Sequence, residues 1–255
     1  MSSSDDLPRD DGIQKKVSLI GYGRFGRIIF EKLISTRCVV SVSATHMSDE
    51  LKMLQKSRGV DIFDNYKESF AQADTAIVAT PVGTHARIVR ECLAAGLNVF
   101  CEKPMSESPA EIEEILLLAK QKSKKVYVDD VFLWRPEYRE LKKLHRSIRT
   151  VDFYMTKYGT FNDSLLAAHV YHDLYMLVDL ADEGALSDIV IMRAEDPIEK
   201  GRVDILEFAF AYGGISVHGY YDRTCERRSK KVVINDEAVW MDNAVMSRAL
   251  SKEFS

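Results

Sequence analysis

The sequence has few of the features that mark secreted or membrane-bound proteins. It contains four cysteines in 255 residues, and no two of them form a CxxC pair. A chain of this length can bury a sufficient core without disulfides, so we interpret the cysteines as reduced, mostly buried thiols. No apolar run approaches the roughly 20 residues that span a bilayer, and the N-terminus is polar and acidic rather than a signal peptide. The sequence therefore predicts a cytoplasmic protein with no membrane partner.

The charge balance gives no electrostatic reason to bind a polyanion. Lys and Arg number 35 against 39 Asp and Glu, for a net charge of −4. Because DNA, RNA and anionic surfaces favour a basic face, we predict no nucleic-acid partner. The hydrophobic share of 46% and the charged share of 29% are typical of a globular chain with one large or two small domains.

From Lys16 to about residue 133, short apolar runs alternate with segments of helical periodicity. Runs such as KVSLI and DTAIVAT are nearly continuous, which is typical of strands buried on both faces of a parallel sheet. We therefore predict an α/β protein whose first domain, residues 16–149, is a doubly wound Rossmann domain that binds a dinucleotide. Residues 1–15 are predicted to be a disordered tail.

After residue 150 the pattern changes to strands in close succession. The segments from RTVDFYMTKYG to EAVWMD are joined by turn residues such as Gly213-Gly214 and Asn235-Asp236. One helix, roughly Leu165 to Ala181, interrupts them. Residues 150–255 are therefore predicted to form a smaller α+β domain with a mainly antiparallel sheet.

A glycine-rich motif follows the first predicted strand directly and opens a helix. Its first glycine permits a tight turn, its second lets the backbone approach a pyrophosphate, and its third lets the helix pack on the strand. A glycine turn kept only for packing is the alternative, but the position in the first βα turn favours dinucleotide binding. The motif consists of Gly21, Tyr22, Gly23, Arg24, Phe25 and Gly26.

The residue that usually selects NAD is missing from the end of the second strand. An acid there hydrogen-bonds the adenosine ribose, but the strand ends in Thr45 and His46, and Asp49 falls in the first turn of the next predicted helix. Thr45, His46 and Ser48 are placed to surround a 2′-phosphate, although none is the arginine expected there. The predicted cofactor is NAD or NADP, with a slight preference for NADP.

Two further motifs lie where predicted strands end, which is where ligands bind in open α/β sheets. TPVGTH begins at Thr80, and CEKP begins at Cys101. With the glycine motif, in this order, they resemble the GxGxxG, TPxxxH and EKP motifs of the glucose-fructose oxidoreductase and inositol dehydrogenase family, Gfo/Idh/MocA, over about residues 16–180. The resemblance implies a cofactor site that includes Thr80, Pro81, His85, Glu102 and Lys103.

The same resemblance implies an NAD(P)-dependent oxidoreductase that transfers hydride between nicotinamide and a hydroxyl or carbonyl of a sugar, sugar nucleotide or cyclitol. It makes Lys103 a catalytic and substrate-binding lysine, because an ammonium stabilises a developing alkoxide. It also implies that Glu102 orients Lys103 and that the bond to Pro104 is cis. Without the family, Lys103 is an ordinary loop lysine.

The passages VYVDDVFLWRPEYRELKKL and SLLAAHVYHDLYMLVDL resemble those of sugar-nucleotide and polysaccharide biosynthetic members of this family. This resemblance implies that His172 is the catalytic imidazole, since histidine exchanges protons near neutral pH. Asp130, His169 and Asp173 accompany it in the implied substrate site. A buried, hydrogen-bonded histidine on an amphipathic helix is the alternative. The EKP motif and the HDL passage at His172 disfavour a different function, that of a small amino-acid or imine reductase.

The sequence departs from the family pattern near His172. The acid expected four residues earlier is Ala168, and the histidine expected in the sixth-strand motif is Asp130. His169, Tyr171 or a residue of another strand has to orient His172 instead. Two histidines at this spacing are not enough for a metal site, so we assign none. The lost acid supports an alternative function, a non-catalytic NAD(P)-binding sensor or partner subunit.

The second half is shorter than is typical of the family, with only about 105 residues after position 150. Its strands alternate weakly and are rich in aromatics, as expected of a sheet face buried in an interface, so a homodimer or higher homo-oligomer is predicted. Core packing would explain the same residues.

A basic cluster is either a solvated hairpin or a contact for the diphosphate of a sugar nucleotide. The cluster consists of Arg223, Arg227, Arg228, Lys230 and Lys231.

Overall fold

The computed structural model describes residues 15–36, 38–144, 148–159, 161, 163–181 and 183–241. The chain divides into two compact units between Asp129 and Asp130. The predicted disordered tail, residues 1–15, lies outside the described residues apart from Lys15. Among the helices within these ranges, none is both long enough and apolar enough to cross a bilayer.

The first unit contains a six-stranded sheet. Its strands are β1 (Lys16–Ile20), β2 (Val39–Ser43), β3 (Ile62–Phe63), β4 (Thr75–Val78), β5 (Asn98–Cys101) and β6 (Val126–Val128). They lie in the order β3-β2-β1-β4-β5-β6, and every neighbouring pair is parallel. This is the strand order of a Rossmann sheet, in which the order reverses between β1 and β4. The predicted doubly wound architecture is confirmed, and only the two-residue β3 had no counterpart among the predicted strands.

Helices connect these strands as the periodicity predicts. They are α1 (Arg24–Ser35), α2 (Asp49–Arg58), α3 (His85–Ala94) and α4 (Pro109–Gln121). The Ser48 hydroxyl caps α2 by accepting the Leu51 N–H at 3.3 Å. Asp49 therefore lies in the first turn of α2, as predicted. Gly59 ends this helix in the left-handed conformation, at a φ of 64°.

The strands of the first unit are buried on both faces, which explains their continuous apolar runs. Leu19 packs in one core cluster and its neighbour Ile20 in the other. Ile77 and Val78 of β4 divide between the same two clusters. Successive side chains of a strand point to opposite faces, so helices must cover both sides of this sheet.

The second unit combines two helices with a second six-stranded sheet. Its elements are α5 (Pro136–Leu144), β7 (Thr150–Thr156), α6 (Tyr171–Leu180), β8 (Leu186–Glu195), β9 (Ile205–Tyr212), β10 (Ile215–Asp222), β11 (Ser229–Ile234) and β12 (Glu237–Met241). The strand order is β12-β11-β7-β10-β9-β8. Only β7 and β10 pair in parallel, and the other neighbours are antiparallel. The predicted α+β fold with a mainly antiparallel sheet is confirmed.

The units divide about twenty residues before the predicted boundary at 149 and 150. The reason is the packing of α5, which falls within the range 16–149 predicted for the first domain. Tyr138 of α5 is buried in the core of the second unit. Its hydroxyl donates to the Asp179 carboxylate at 2.7 Å and also lies 3.2 Å from the Met176 carbonyl. Sequence periodicity identifies such a helix but does not show which core it joins.

The predicted helix from Leu165 to Ala181 is present, but its first part is not α-helical. Residues Leu166–Val170 form a π-helical turn that runs directly into α6. The Tyr171 N–H accordingly bonds the Leu166 carbonyl, five residues earlier. Such turns occur frequently at functional sites, and this one ends two residues before His172.

Candidate functional site

A cavity of about 640 Å³ lies in the first unit, at the carboxyl ends of β1, β2 and β4. Its position is the switch point of the strand order, where Rossmann sheets bind dinucleotides. Most of the predicted cofactor residues meet here. They are Gly21, Tyr22, Gly23, Arg24, Phe25, Thr45, His46, Thr80 and Pro81.

The glycine turn fits a bound pyrophosphate. A Cβ on Gly26 would lie 2.2 Å from the Gly21 carbonyl oxygen, so only glycine allows the helix to start this close to the strand. A Cβ on Gly23, by contrast, would have no protein atom within 4 Å. Gly23 is the N-cap of α1, which has neither a capping side chain nor an acid in its first turn. The helix N-terminus is therefore suited to bind an anion.

We expect Gly23→Ala and Gly26→Ala to separate binding from folding. The Gly23 methyl would occupy the approach of the phosphate and remove charge-assisted hydrogen bonds, raising the dinucleotide Kd about tenfold to a hundredfold. Stability should be unchanged, because that methyl meets no protein atom. Gly26→Ala should weaken binding and also lower the melting temperature. Fluorescence titration with NADH and NADPH, together with thermal unfolding, measures both effects. Wild-type affinity in Gly23→Ala would contradict this prediction.

Nine residues that are not among the predicted cofactor residues also line the cavity. They include Asp64, Tyr66, Thr84 and Arg87. Arg87 donates to the Tyr66 hydroxyl at 2.7 Å, and that hydroxyl bonds the Glu91 carboxylate. Asp64 and Tyr66 follow the two-residue β3, and no periodic signal marks so short a strand. Asp49, the first carboxylate after β2, instead pairs with Lys52 at 3.0 Å.

His85 joins the two other motif loops. Its ring is buried, with Nε2 2.7 Å from the Thr80 carbonyl oxygen and Nδ1 2.8 Å from that of Pro104. The Lys103–Pro104 peptide bond is cis, as the resemblance implies. His85 therefore holds the loop after β4 against the loop after β5. Its predicted part in the cofactor site is consistent with an indirect role through these two loops.

Beside Lys103, Glu102 forms a carboxyl pair with Asp129. Cys101 and Val128 are register partners in β5 and β6, so the residues that follow them lie side by side and share a side-chain hydrogen bond. Burial and the neighbouring charge of Asp129 raise the pKa of Glu102 to about 7. Burial also raises the pKa of Asp129. The raised pKa means that the pair takes up a proton more readily than two separate carboxylates, and each proton gained lowers the negative charge next to Lys103.

In the second unit, His172 lies in an aromatic cluster. Its ring packs edge-on against Phe132, with centroids 5.2 Å apart, and its Nδ1 is 3.4 Å from the Tyr175 hydroxyl. The preceding residue, Tyr171, donates to Asp130 at 3.0 Å. The structure therefore brings Asp130 to the same helix turn as His172.

The two remaining predicted substrate residues, His169 and Asp173, are buried. Both oxygens of Asp173 are engaged within the protein, one by Lys230 at 2.7 Å and the other by the Tyr221 hydroxyl at 2.9 Å. Burial raises the pKa of Tyr221 well above its usual value, so it remains a donor. These bonds anchor α6 to the sheet. Across the described part of the chain, no three His, Cys, Asp or Glu side chains are grouped closely enough to hold a metal ion.

The prediction that Arg223 belongs to a basic cluster on a solvated hairpin or at a diphosphate is wrong. This side chain is completely buried and pairs with Asp204 at 2.8 Å. It also donates to the carbonyls of Asp163 at 2.7 Å and Val203 at 3.1 Å. Lys230 is bound to Asp173, as described above. Arg223 therefore stabilises the interior of the second unit and is not available to a diphosphate. The sequence pattern does not show that this side chain is buried, because its burial depends on tertiary packing.

The strand order, the glycine turn and the cavity define a dinucleotide-binding Rossmann unit. A family described as an oxidoreductase family with an NAD-binding Rossmann fold, Gfo/Idh/MocA, matches residues 15–130. Residues 15–130 are thus similar to the Rossmann domain of that family.

Relatives of known name include inositol dehydrogenases. Myo-inositol 2-dehydrogenase of Thermotoga maritima is 28% identical over 144 residues, which cover 52% of this chain and 40% of that protein. The NADP(+)-dependent scyllo-inositol 2-dehydrogenase of Bacillus subtilis is 24% identical over 156 residues, covering 60% and 44% respectively. The chain thus matches less than half the length of these relatives.

Solved structures extend the likeness to both units. UDP-N-acetylglucosamine 3-dehydrogenase of Acidithiobacillus ferrooxidans has a TM-score of 0.78 at 15% identity. The alignment covers 87% of this chain and 74% of that one. At this identity the likeness shows a shared fold, including the sheet of the second unit.

Proposed function

We propose that the protein is an NAD(P)-dependent oxidoreductase that acts on a hydroxyl or carbonyl of a sugar, sugar nucleotide or cyclitol. The observation that carries the proposal is the arrangement of the first unit. The glycine turn after β1 and Lys103 after β5 stand at the carboxyl ends of one parallel sheet. Ligands of such sheets bind at that edge. The inositol dehydrogenases among the relatives support the substrate class.

Each proposed role follows from the chemistry of the side chain. The backbone at Gly23 and the α1 amides hold the pyrophosphate, and bound nicotinamide supplies the hydride chemistry. The Lys103 ammonium hydrogen-bonds the reacting oxygen and stabilises the negative charge that develops on it. The Glu102–Asp129 pair balances the charge of Lys103. His172 exchanges the proton of the reacting group.

A slight preference for NADP over NAD is part of the proposal. Thr45 and His46 line the cavity after β2, and Arg87 adds a positive charge to its wall. Asp64 opposes that charge, which keeps the expected preference small. Dissociation constants for NADH and NADPH measure it, and tighter binding of NADH would overturn it.

We also propose that the protein is a homodimer, with β8 at the contact between the two copies. This strand lies at one edge of its sheet, and β12 lies at the other. A run of its large apolar side chains is exposed on both faces, which is unusual for a lone monomer. The run consists of Ile189, Val190, Ile191 and Met192. Sedimentation velocity tests the proposal, and a monomer at micromolar concentration would contradict it.

Turnover with defined substrates tests the proposed activity. Purified protein would be incubated with NAD⁺ or NADP⁺ and with myo-inositol, scyllo-inositol or UDP-N-acetylglucosamine, while the absorbance of reduced nicotinamide is followed. We expect reduction with at least one of these compounds. Tight cofactor binding without redox change across the panel would favour a non-catalytic sensor or partner subunit.

A further inference from the structure

We propose that Arg87 binds the 2′-phosphate of NADP(H) and thereby sets the preference between NADPH and NADH. This role rests on the proposed function, because it requires a dinucleotide in the cavity of the first unit. The 2′-phosphate is the chemical group in which the two cofactors differ. A residue that discriminates between them therefore has to meet this group at the adenosine ribose.

The cavity brings Arg87 to the side of the sheet where the adenosine ribose binds. In a Rossmann unit the ribose lies beyond the end of the second strand. Ser43 of β2 is the register partner of Phe63 of β3, so the residues that follow β3 lie beside the end of β2. Two of them, Asp64 and Tyr66, line the cavity together with Arg87. Arg87 belongs to the first turn of α3, and its hydrogen bond to the Tyr66 hydroxyl, at 2.7 Å, joins that turn to the chain after β3.

One nitrogen of the Arg87 guanidinium makes its hydrogen bonds within the protein. Nη1 donates to Tyr66 and lies 3.5 Å from Glu91 Oε1. Among the residues that the structure describes, none accepts a hydrogen bond from Nε or Nη2. These two nitrogens form one edge of the guanidinium, and such an edge binds a phosphate through two parallel N–H···O bonds. Because the side chain is 55% exposed and lines the cavity, this edge is accessible to a bound anion.

The contacts of Nη1 hold the Arg87 side chain without neutralising it. The Tyr66 hydroxyl accepts from Arg87 and donates to the Glu91 carboxylate. Burial and the bond to Glu91 raise the pKa of Tyr66, so the phenol is neutral. Glu91 also pairs with Lys67, whose Nζ lies 3.1 Å from Oε2, so two cations share this carboxylate. The guanidinium is therefore oriented before a cofactor binds and keeps positive charge for a phosphate.

The other polar residues of the cavity wall are engaged differently. Arg24 also lines the cavity, but it is the first residue of α1, where the proposed pyrophosphate site lies. His46 has its Nδ1 2.7 Å from the Thr45 carbonyl oxygen, so one ring nitrogen is left for a ligand, whereas the guanidinium edge offers two. Asp64 repels an anion, and the preference for NADPH is the difference between this repulsion and the attraction of Arg87. The arginine that the sequence lacks after β2 thus comes from α3.

Cofactor titrations of matched variants test this role. Dissociation constants for NADPH and NADH would be measured by fluorescence in the wild type, Arg87→Gln and Arg90→Gln. Arg87→Gln should raise the NADPH Kd about tenfold to a hundredfold, because it removes charge-assisted hydrogen bonds, and it should change the NADH Kd little. The phosphate would then face Asp64 without a compensating cation, so NADH should become the tighter ligand.

Arg90→Gln is the matched control. Arg90 lies on the same helix, pairs with Glu111 at 3.3 Å and Glu114 at 3.4 Å, and is not among the described residues that line the cavity. Its replacement removes the same charge and should leave both dissociation constants near wild type. Displacement of bound NADPH by 2′,5′-ADP and by 5′-AMP isolates the phosphate. Arg87→Gln should weaken the binding of 2′,5′-ADP and leave that of 5′-AMP near wild type.

Asp64→Asn should act in the opposite direction. Removing the repulsion should lower the NADPH Kd about twofold to fivefold, as expected for an exposed charge interaction, and a damaged fold does not produce such a gain. Equal weakening of NADPH and NADH in Arg87→Gln would mean that the guanidinium contacts another part of the cofactor, and it would overturn the assignment. An NADPH Kd that Arg87→Gln leaves unchanged would overturn this role alone. A wild type that binds neither cofactor would overturn the proposed function as well.

Discussion

Replacing Lys103 with alanine is expected to lower turnover by at least about a hundredfold while leaving cofactor affinity close to wild type. The expected loss is that of a single group that stabilises an oxyanion, about 10²–10³ in kcat. Cofactor affinity should persist because the cavity walls come from the ends of β1, β2 and β4, whereas Lys103 follows β5. Steady-state kinetics with the substrate found in the panel, together with NADPH titration, measures the two quantities separately.

Lys122→Ala provides the matched control for this variant. Lys122 is exposed at the end of α4, and its removal changes the net charge equally without altering the loop after β5. It should retain wild-type kcat and Kd. If Lys103→Ala keeps its activity, the catalytic assignment is wrong. If it loses cofactor binding in parallel with activity, the lysine acts mainly on the dinucleotide.

Much of the fold was predictable because local signals determine it. Strands buried on both faces, such as β1 and β4, require continuous apolar runs. The turns at Gly213-Gly214 and Asn235-Asp236 require residues that accept positive φ, which all four adopt. The glycine motif was equally clear, because its first and third positions have no room for a Cβ. Each of these apolar runs, turn residues and glycines lies within a few residues of the strand or turn that it specifies.

The less predictable parts of the site depend on register and helix phase. Asp129 meets Glu102 only because β5 and β6 pair with Cys101 opposite Val128, whereas the family pattern directed attention to Asp130. A spacing of four residues suggested Ala168 as the partner position of His172. The π-helical turn Leu166–Val170 alters the phase of the helix there. The contact that the structure shows for Nδ1 of His172 is with the Tyr175 hydroxyl, at 3.4 Å. Neither the pairing register nor a π turn has a reliable signature in one sequence.

The largest expected effect on stability is that of Asp204→Asn. Arg223 is 0% exposed and Asp204 1% exposed, and the second carboxylate oxygen of Asp204 accepts the Ile198 N–H at 3.0 Å. Asparagine preserves the shape but leaves the guanidinium as an uncompensated buried cation. Removing one partner of such a pair costs about 3–5 kcal/mol, a large fraction of the 5–15 kcal/mol typical of a folded protein. Urea unfolding followed by far-UV circular dichroism measures the loss.

An exposed ion pair of the same chemistry shows whether burial is the cause. Arg27 and Glu50 are joined at 3.1 Å, but their side chains are 53% and 46% exposed. Glu50→Gln should therefore leave the free energy of unfolding unchanged within error, because water solvates the remaining cation. The double variant Arg223→Met/Asp204→Leu should be more stable than Asp204→Asn, since it buries no unpaired charge. Equal losses in Asp204→Asn and Glu50→Gln would contradict the argument, because burial would then not determine the strength of these pairs.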